Sequence, residues 1–287
     1  MSSDDDYNRK FNLPITPISE LKDRPFPKTS ACLIIGDEIL YGKTVDTNSG
    51  YFAKYCFNLG IDLKKIEVIP DDEQTIIEAV RRLSDNFDLV VTSGGVGPTH
   101  DDITYPTIAK AFNLQLTPHQ QTLDRMMYVN SNTPSSKAMP TELSQEAIIA
   151  RNRMALFLTP SLVVYPSPKL WVPIIIVNSN IHVLPGVPKL FCGLLDGYQK
   201  YLKVGEKFFR SFVKTFQPES FIAPILTELQ EKHSDIKIGS YPKWISDDNR
   251  WVIISFIVRE KNKEILKSVI DEVVEKVDGI IVEEDLD

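Results

Sequence analysis

Cysteines are few in this chain, and it has neither a long apolar run nor a basic amino terminus. The three cysteines, Cys32, Cys56 and Cys192, lie far apart and form no CxxC pair, so neither a zinc site nor a disulfide framework is indicated. No apolar run approaches the roughly 20 residues that a membrane span requires. Acids at positions 4–6 stand where a secretory or mitochondrial presequence would be basic. We therefore expect a cytoplasmic protein without a membrane partner.

An excess of positive charge is also lacking over the whole chain. The formal net charge of -7 offers no basic surface to DNA or RNA, which disfavours a nucleic-acid partner. Hydrophobic residues at 43% and charged residues at 25% are ordinary globular values, so disorder throughout the chain is excluded. A length of 287 residues suffices for one large domain and a small one.

Residues 1–28 mix acids with prolines and show no periodicity, which predicts a flexible tail lying loosely on the surface. After this tail, apolar runs alternate with apolar residues at helical spacing. The predicted order is strand 31–35, helix 51–59, strand 66–69, helix 76–83 and strand 89–91, with further strands at 156–158, 162–165 and 174–177. Such alternation is typical of parallel strands with right-handed crossovers. Residues 29–203 are therefore predicted to form an α/β domain with a doubly wound, mostly parallel sheet.

The order of elements changes in the last part of the chain, residues 204–287. The pattern predicts strand 208–216, helix 218–233, strand 236–241, strand 251–258, helix 262–277 and strand 279–282. This βαββαβ order is that of a ferredoxin-like fold, so we predict a small α+β subdomain here. We expect it to pack, to form a homodimer or to close over the ligand crevice of the first domain.

A glycine-rich segment follows the third predicted strand, and a second polar cluster follows the first. Because the carboxyl ends of parallel strands meet at one edge of a sheet, the two clusters are expected to share a crevice. Glycines let the backbone approach an anion and point N–H groups at it, which favours phosphate binding. We expect Gly95→Ala to weaken that binding while the fold stays mostly intact, provided that alanine can adopt the native φ. The predicted substrate-binding residues here are Gly36, Glu38, Ser93, Gly94, Gly95, Val96, Gly97 and Thr99.

Acidic side chains lie in the same two clusters, at Asp37, Asp101 and Asp102. Carboxylates beside a phosphate would repel it unless a divalent cation lay between them. We therefore predict that these three aspartates are metal ligands and catalytic residues for magnesium or manganese, which would activate a water for attack at phosphorus. The alternative is that Asp101 and Asp102 only cap the helix that carries Ile108.

Two further positions are candidates for substrate contact. Asn48 begins the helix after the first strand, where it could bind substrate or act as an ordinary helix N-cap. Pro185 and Gly186 belong to a turn that either lines the crevice or only connects a strand rigidly to a helix. Of the histidines, His100 lies within the glycine-rich cluster and is either a phosphate ligand or a surface residue, and His182 is expected to be structural.

Four segments together resemble a known family. They are IGDEILYG at 35–42, DTNS at 46–49, TSGGVGPTHDDIT at 92–104 and LPGVP at 184–188. They are similar to the molybdopterin-binding-like domain family, and especially to the amino-terminal region of CinA proteins and the equivalent domain of eukaryotic FAD synthases. The resemblance runs from about residue 29 to the end of the chain.

The resemblance implies a metal-dependent nucleotide pyrophosphatase whose substrate is FAD, cleaved to FMN and AMP, or ADP-ribose. It also suggests cobalt as an alternative metal and potassium as an assisting ion. Arg153 matches a basic position of the family and would neutralise a phosphate. Neither the CinA deamidase domain nor the sulfate-reductase-like domain that makes FAD is recognisable, so FAD synthesis is not expected.

The chain departs from the CinA pattern at residues 171–175, where Trp171 and its neighbours replace an Asn/Gly-rich segment and favour the eukaryotic branch. The identity of the base or flavin pocket therefore stays open at this point. Two other functions also stay open. One is molybdopterin binding or adenylylation, and the other is a non-catalytic nucleotide-binding regulatory module, against which the retained acids argue.

Overall fold

The chain folds into two compact units. The first unit comprises two segments, the chain up to Cys56 and Ile61–Lys203. The second unit comprises Phe57–Gly60 and the chain from Val204 onward. The computed structural model describes residues 12–132, 144–246 and 249–283. The part of the predicted tail before residue 12 lies outside the described residues.

Strands and helices alternate in the first unit, as the apolar pattern predicts. Its strands are β1 (Thr29–Ile35), β2 (Asp62–Ile69), β3 (Leu89–Ser93), β4 (Gln115–Pro118), β5 (Leu156–Thr159), β6 (Leu162–Val164), β7 (Ile174–Val177) and β8 (Ile181–Leu184). The helices of the chain up to Lys203 are α1 (Asp37–Leu40), α2 (Asn48–Leu59), α3 (Glu73–Asn86), α4 (Thr104–Phe112), α5 (Gln120–Asn132), α6 (Gln145–Arg153) and α7 (Pro188–Tyr198). Short 3-10 helices lie at Ile18–Glu20 and Gln199–Tyr201.

Among the described residues, the main sheet has the order β2-β1-β3-β8-β7-β6. Its first four members are parallel, and β7 and β6 join antiparallel at one side. The α/β fold class with a mostly parallel sheet is therefore confirmed. The central strand β1 is buried along almost its whole length because both of its faces are covered. One face packs on the apolar side of α3, and on the other the Ser30 hydroxyl lies 3.4 Å from the Cys56 sulfur in α2.

The sequence analysis did not anticipate β8, which is essential for the site because it is the neighbour of β3. It is joined to β7 by a tight turn in which Asn178 and Ser179 have φ of 47° and 67°. The turn comprises the three residues 178–180, because Val177 pairs with Ile181, and asparagine tolerates the positive φ that it requires. The turn is so short that β7 and β8 look like one interrupted apolar run. The predicted strand at 156–158 exists as β5, but it pairs with β4 in a separate two-stranded sheet.

Residues 12–28 differ from the predicted loose tail. Leu13, Thr16 and Leu21 are buried. The N–H groups of Leu13 and Thr16 donate to the carbonyls of Pro168 and Tyr165 at 3.0 and 3.1 Å. The Thr16 hydroxyl accepts from the Tyr165 N–H at 2.9 Å. This segment, residues 12–21, is called the amino-terminal strap below. It lacks periodicity because it is held by hydrogen bonds and a few buried side chains, without an apolar face.

The second unit has the predicted βαββαβ order. Its elements are β9 (Phe208–Thr215), α8 (Glu219–Lys232), β10 (Lys237–Ser246), β11 (Asn249–Arg259), α9 (Lys263–Lys276) and β12 (Ile280–Val282), with a 3-10 turn at Glu260–Asn262. The strands form an antiparallel sheet in the order β10-β11-β9-β12, which confirms the ferredoxin-like α+β prediction. Alternate residues of β11, from Val252 to Val258, pack with the apolar sides of α8 and α9. No helix within the described ranges is long and apolar enough to cross a membrane.

The core of the first unit contains one histidine, His182 of β8, that is 3% exposed. Its Nδ1 donates to the Asn180 carbonyl at 3.0 Å, and its Nε2 accepts from the Tyr198 hydroxyl at 2.9 Å. Burial, with a smaller effect of the Arg24 charge, lowers the pKa of His182 from 6.5 to about 3. The imidazole is therefore neutral and has a structural role, as expected from the sequence.

This histidine should make the protein sensitive to acid. The folded pKa lies below the unfolded one, so the unfolded chain binds a proton first as the pH falls below 6.5, and stability falls with it. We expect wild type to lose about 2 kcal/mol more unfolding free energy between pH 7 and pH 5 than His182→Gln, which does not titrate. Urea unfolding at both pH values measures this. Equal losses in the two proteins would contradict a buried neutral imidazole.

Candidate active site

The loops that follow β1, β2, β3 and β8 lie at one edge of the sheet because these four neighbouring strands are parallel. They line a cavity of about 500 Å³. Of the predicted site residues, those that line it are Gly36, Glu38, Gly94, Gly95, Val96, Gly97, Asp101, Asp102, Pro185 and Gly186. The structure thus brings both predicted clusters and the predicted turn together.

Gly94 lies where three of these strands come closest. Its φ is 115°, and a Cβ built on it would overlap the Ile35 carbonyl at the end of β1. Its N–H donates to the Leu184 carbonyl at the end of β8 at 3.2 Å. A Cβ built on Gly186 would lie 3.2 Å from the Gly94 Cα. Glycine is therefore required at position 94 by the crossing of three backbones.

Gly95 has a φ of 64°, and a Cβ built on it would overlap the Thr104 hydroxyl. That hydroxyl donates to the Gly94 carbonyl at 2.9 Å, and the Thr104 N–H donates to the Gly95 carbonyl at 2.9 Å. The loop is thereby fixed to the start of α4. The condition on which Gly95→Ala was expected to leave the fold intact is not met, because the φ is one that alanine rarely adopts and the added methyl would point into this packing.

The remaining backbone donors of the glycine loop have no acceptor. In the ranges that the structure describes, neither a carbonyl nor a side chain accepts a hydrogen bond from the N–H groups of Gly95, Val96 and Gly97. Three successive free N–H groups beside a cavity provide a site for an anion. This is the arrangement that the glycine spacing predicts.

The structure adds a carboxylate that was not among the residues predicted for the site. Asp71 follows β2 and lines the cavity, and its Oδ2 accepts from the Asp37 N–H at 3.1 Å. Burial raises its pKa, and the nearby charges of Asp37, Glu38 and Asp101 raise it further, against the effect of the Asp37 N–H. Asp71 could have been found from the sequence, because it follows the second predicted strand, which was expected to run parallel to the first.

The neighbouring acid, Asp72, has the helix-capping role. Its carboxylate accepts from the Thr75 N–H at 2.9 Å, so Asp72 is the N-cap of α3. Asp71 is therefore free to face the cavity. Two adjacent aspartates with separate roles cannot be told apart by composition.

Asp101 and Asp102 do not cap α4. That helix begins at Thr104 after Ile103, without a side-chain cap. Asp102 instead accepts from the Thr99 N–H at 2.8 Å, which holds the loop in a tight turn. Both aspartates line the cavity, and the Asp101 side chain is 62% exposed. The helix-cap alternative is thus excluded, and Asp101 is the more accessible of the two acids.

The structure also places Asn48. Asp46 accepts from the N–H groups of Asn48 and Ser49, so Asp46 provides the cap of α2 and Asn48 is not the N-cap. The Asn48 Nδ2 donates to the Ser93 hydroxyl at 2.9 Å and to the Gly186 carbonyl at 2.8 Å. Its Oδ1 is buried without a partner. Asn48 therefore ties the end of β3 to the turn after β8, behind the cavity surface.

Some predicted residues lie away from the cavity surface. Arg153 ends α6 with an exposed side chain, and its neighbour Met154 lines the cavity in its place. Asp37, Asn48, Ser93 and Thr99 contact residues that line it. The His100 side chain is 97% exposed.

The acids offer oxygen ligands of the type that magnesium and manganese prefer. Within the described residues, no three acidic, histidine or cysteine side chains are spaced as a metal-binding group. The carboxylates around Asp71 therefore fit a cation only if phosphate oxygens or water complete its coordination, as is usual for magnesium at nucleotide sites.

Comparison with known proteins gives the family. The chain belongs to the family whose model is described as a probable molybdopterin binding domain, which matches residues 31–203. A second model, described as the FAD synthase middle domain, matches residues 207–285. The resemblance drawn from the four sequence segments is therefore confirmed.

Individual relatives agree with this family. A "Probable FAD synthase" of Caenorhabditis elegans is 32% identical over 90% of this chain and 51% of its own length. A protein of Archaeoglobus fulgidus is 31% identical over 80% of this chain and 90% of its own length. The structure of CinA from Thermoplasma acidophilum is 30% identical, with a TM-score of 0.50, over 60% of this chain and 96% of that one. The chain spans about half the length of the named FAD synthase relative.

The glycine loop makes a stability prediction. Gly95→Ala should lower the unfolding free energy by about 1–3 kcal/mol, because the position requires a positive φ that alanine disfavours and the methyl group would overlap the Thr104 hydroxyl. In a Thr104→Ala background the cost should be smaller, because the overlapping atom is gone. Denaturant unfolding of the four proteins measures the coupling. Strict additivity would show that Thr104 does not confine Gly95.

Proposed function

We propose that this protein is a metal-dependent pyrophosphatase that cleaves FAD or ADP-ribose. The observation that carries the proposal is the pairing, in one cavity, of three free backbone N–H groups with a cluster of carboxylates. The N–H groups of residues 95–97 suit phosphate oxygens, whereas the carboxylates suit a cation. A diphosphate with a divalent metal satisfies both.

Each part of the site has a role in this reaction. Asp37 and Asp101 would hold the cation, which supplies charge neutralisation and lowers the pKa of water. Residues 95–97 would bind and orient the diphosphate. Asp71 lines the cavity beside these acids, where its carboxylate would accept a proton from the attacking water. Water oxygen bonds to one phosphorus, the bridging P–O bond breaks, and FAD yields FMN and AMP.

Among the pyrophosphate compounds that could be the substrate, the comparisons support a flavin nucleotide. Both the relative's printed name and the second family model refer to FAD synthase. A second candidate function, binding or adenylylation of molybdopterin, is favoured by the description of the first family model. The products separate the two, because adenylylation joins a nucleotide to a pterin whereas the pyrophosphatase releases two monophosphates. A regulatory module would bind nucleotide and release nothing.

The first test is direct. Purified protein incubated with FAD should release FMN and AMP in the presence of magnesium, manganese or cobalt, and EDTA should abolish the reaction. ADP-ribose and ATP with molybdopterin serve as comparison substrates, and added potassium tests the monovalent ion. Chromatography identifies the products. Full turnover in EDTA would rule out the metal, and failure to cleave any dinucleotide would rule out the pyrophosphatase.

Carboxylate variants test whether the acids act as one unit. Asp37→Asn and Asp101→Asn should each lower turnover by on the order of 10²-fold. The double variant should lose much less turnover than the product of the two single-variant losses. Asp71→Asn should lower turnover and also flatten the acid limb of the pH profile.

Asp85→Asn, an exposed acid near the end of α3, is the matched control and should retain full activity. Circular dichroism verifies folding of all variants. Multiplicative losses in the Asp37 and Asp101 double variant would contradict a shared metal-nucleotide site.

A further inference from the structure

The cavity lining is of two chemical kinds. The glycine loop and the acids make up one of them. The other consists of apolar and aromatic side chains, Tyr105, Met154, Trp171, Val172 and Leu190. Tyr105 and Met154 were not singled out from the sequence. This set is called the apolar wall below.

Contacts with residues outside the cavity hold the apolar wall in place. Tyr105 is 5% exposed and packs edge-on against Phe157, with ring centroids 5.4 Å apart. The loop that leads to Trp171 is bound by the amino-terminal strap, whose Leu13 N–H donates to the Pro168 carbonyl at 3.0 Å. The Lys200 ammonium donates to the Pro166 carbonyl at 2.8 Å. A wall fixed on both sides is pre-organised to receive a flat ring.

The wall distinguishes between the two rings of FAD. Every edge of adenine carries nitrogen, and its amino group needs an acceptor. Among the described side chains of the wall, the Tyr105 hydroxyl is the one oxygen. The isoalloxazine ring has a dimethylbenzene edge that needs no hydrogen bond and gains from burial against indole and thioether groups. Desolvating unpaired adenine nitrogens here would be unfavourable.

We propose that the apolar wall binds the isoalloxazine ring, with Trp171 as the stacking residue. This inference rests on the proposed function and goes beyond it. FAD and ADP-ribose share their ADP half and differ in the group attached to the other phosphate. A subsite that only the flavin fills therefore makes the enzyme selective for FAD over ADP-ribose.

Binding of the two monophosphates tests this without turnover. FMN should bind wild type with quenching of flavin fluorescence, because stacking on an indole quenches it. Trp171→Ala should weaken FMN binding by about tenfold or more, since stacking on an aromatic side chain contributes ~1–3 kcal/mol, whereas AMP binding should change little. Trp171→Phe should restore most of the affinity. Trp244→Ala, which removes a tryptophan that is 66% exposed in the second unit, is the control.

Two results would overturn the proposal. One is a Trp171→Ala protein that loses AMP affinity as much as FMN affinity, because the wall would then hold adenine. The other is unchanged FMN affinity in both Trp171 variants. Thermal unfolding shows whether the variants are folded, and Trp171→Phe keeps the test valid if the alanine variant is not.

Turnover separates this proposal from the proposed function. If FMN binding depends on Trp171 but FAD is not cleaved, the pyrophosphatase proposal fails while the flavin subsite stands. If FAD is cleaved and Trp171→Ala lowers kcat/KM equally for FAD and ADP-ribose, the flavin subsite fails alone.

Discussion

The site depends on the close approach of three backbones at Gly94. At this residue the end of β3 passes so near to Ile35 and Gly186 that a single Cβ would force the strands apart. The N–H bond to Leu184 fixes the same crossing from the β8 side. Because the loops of β1, β3 and β8 start here, the N–H groups of residues 95–97 and the acids after β1 have fixed positions relative to each other.

That crossing places like charges close together. Asp71 lies near Asp37, Glu38 and Asp101, and burial adds to their mutual repulsion. One hydrogen bond, from the Asp37 N–H, partly offsets it. The arrangement is unfavourable for an empty site and favourable for one that contains a cation. A ligand that binds only the folded protein stabilises it, so a cation held among these acids would raise the temperature of unfolding.

Much of this could be predicted from the sequence, because the main sheet uses long apolar runs and the loop uses glycines. The parallel order, the ferredoxin-like unit and the meeting of the two clusters followed from those patterns. Asp71 did not, since beside Asp72 it has the composition of an ordinary helix start. The strap was missed because backbone hydrogen bonds leave no trace in hydrophobic periodicity. Strand β8 was missed because a turn of only three residues separates it from β7. Arg153 stays a prediction from the family resemblance, and the structure places its neighbour Met154 at the cavity.

The strap bears on where this domain begins. The family model starts at residue 31, after the segment whose Leu13 and Thr16 hold the loop before Trp171. A domain excised at that residue would keep most of β1, the other strands of the main sheet and the glycine loop. It would lose the segment that braces the loop before Trp171, together with the buried side chains of Leu13 and Leu21. The packed structure around the cavity thus begins upstream of the residues that the family model matches, so a shortened domain should keep the chain from residue 12 onward.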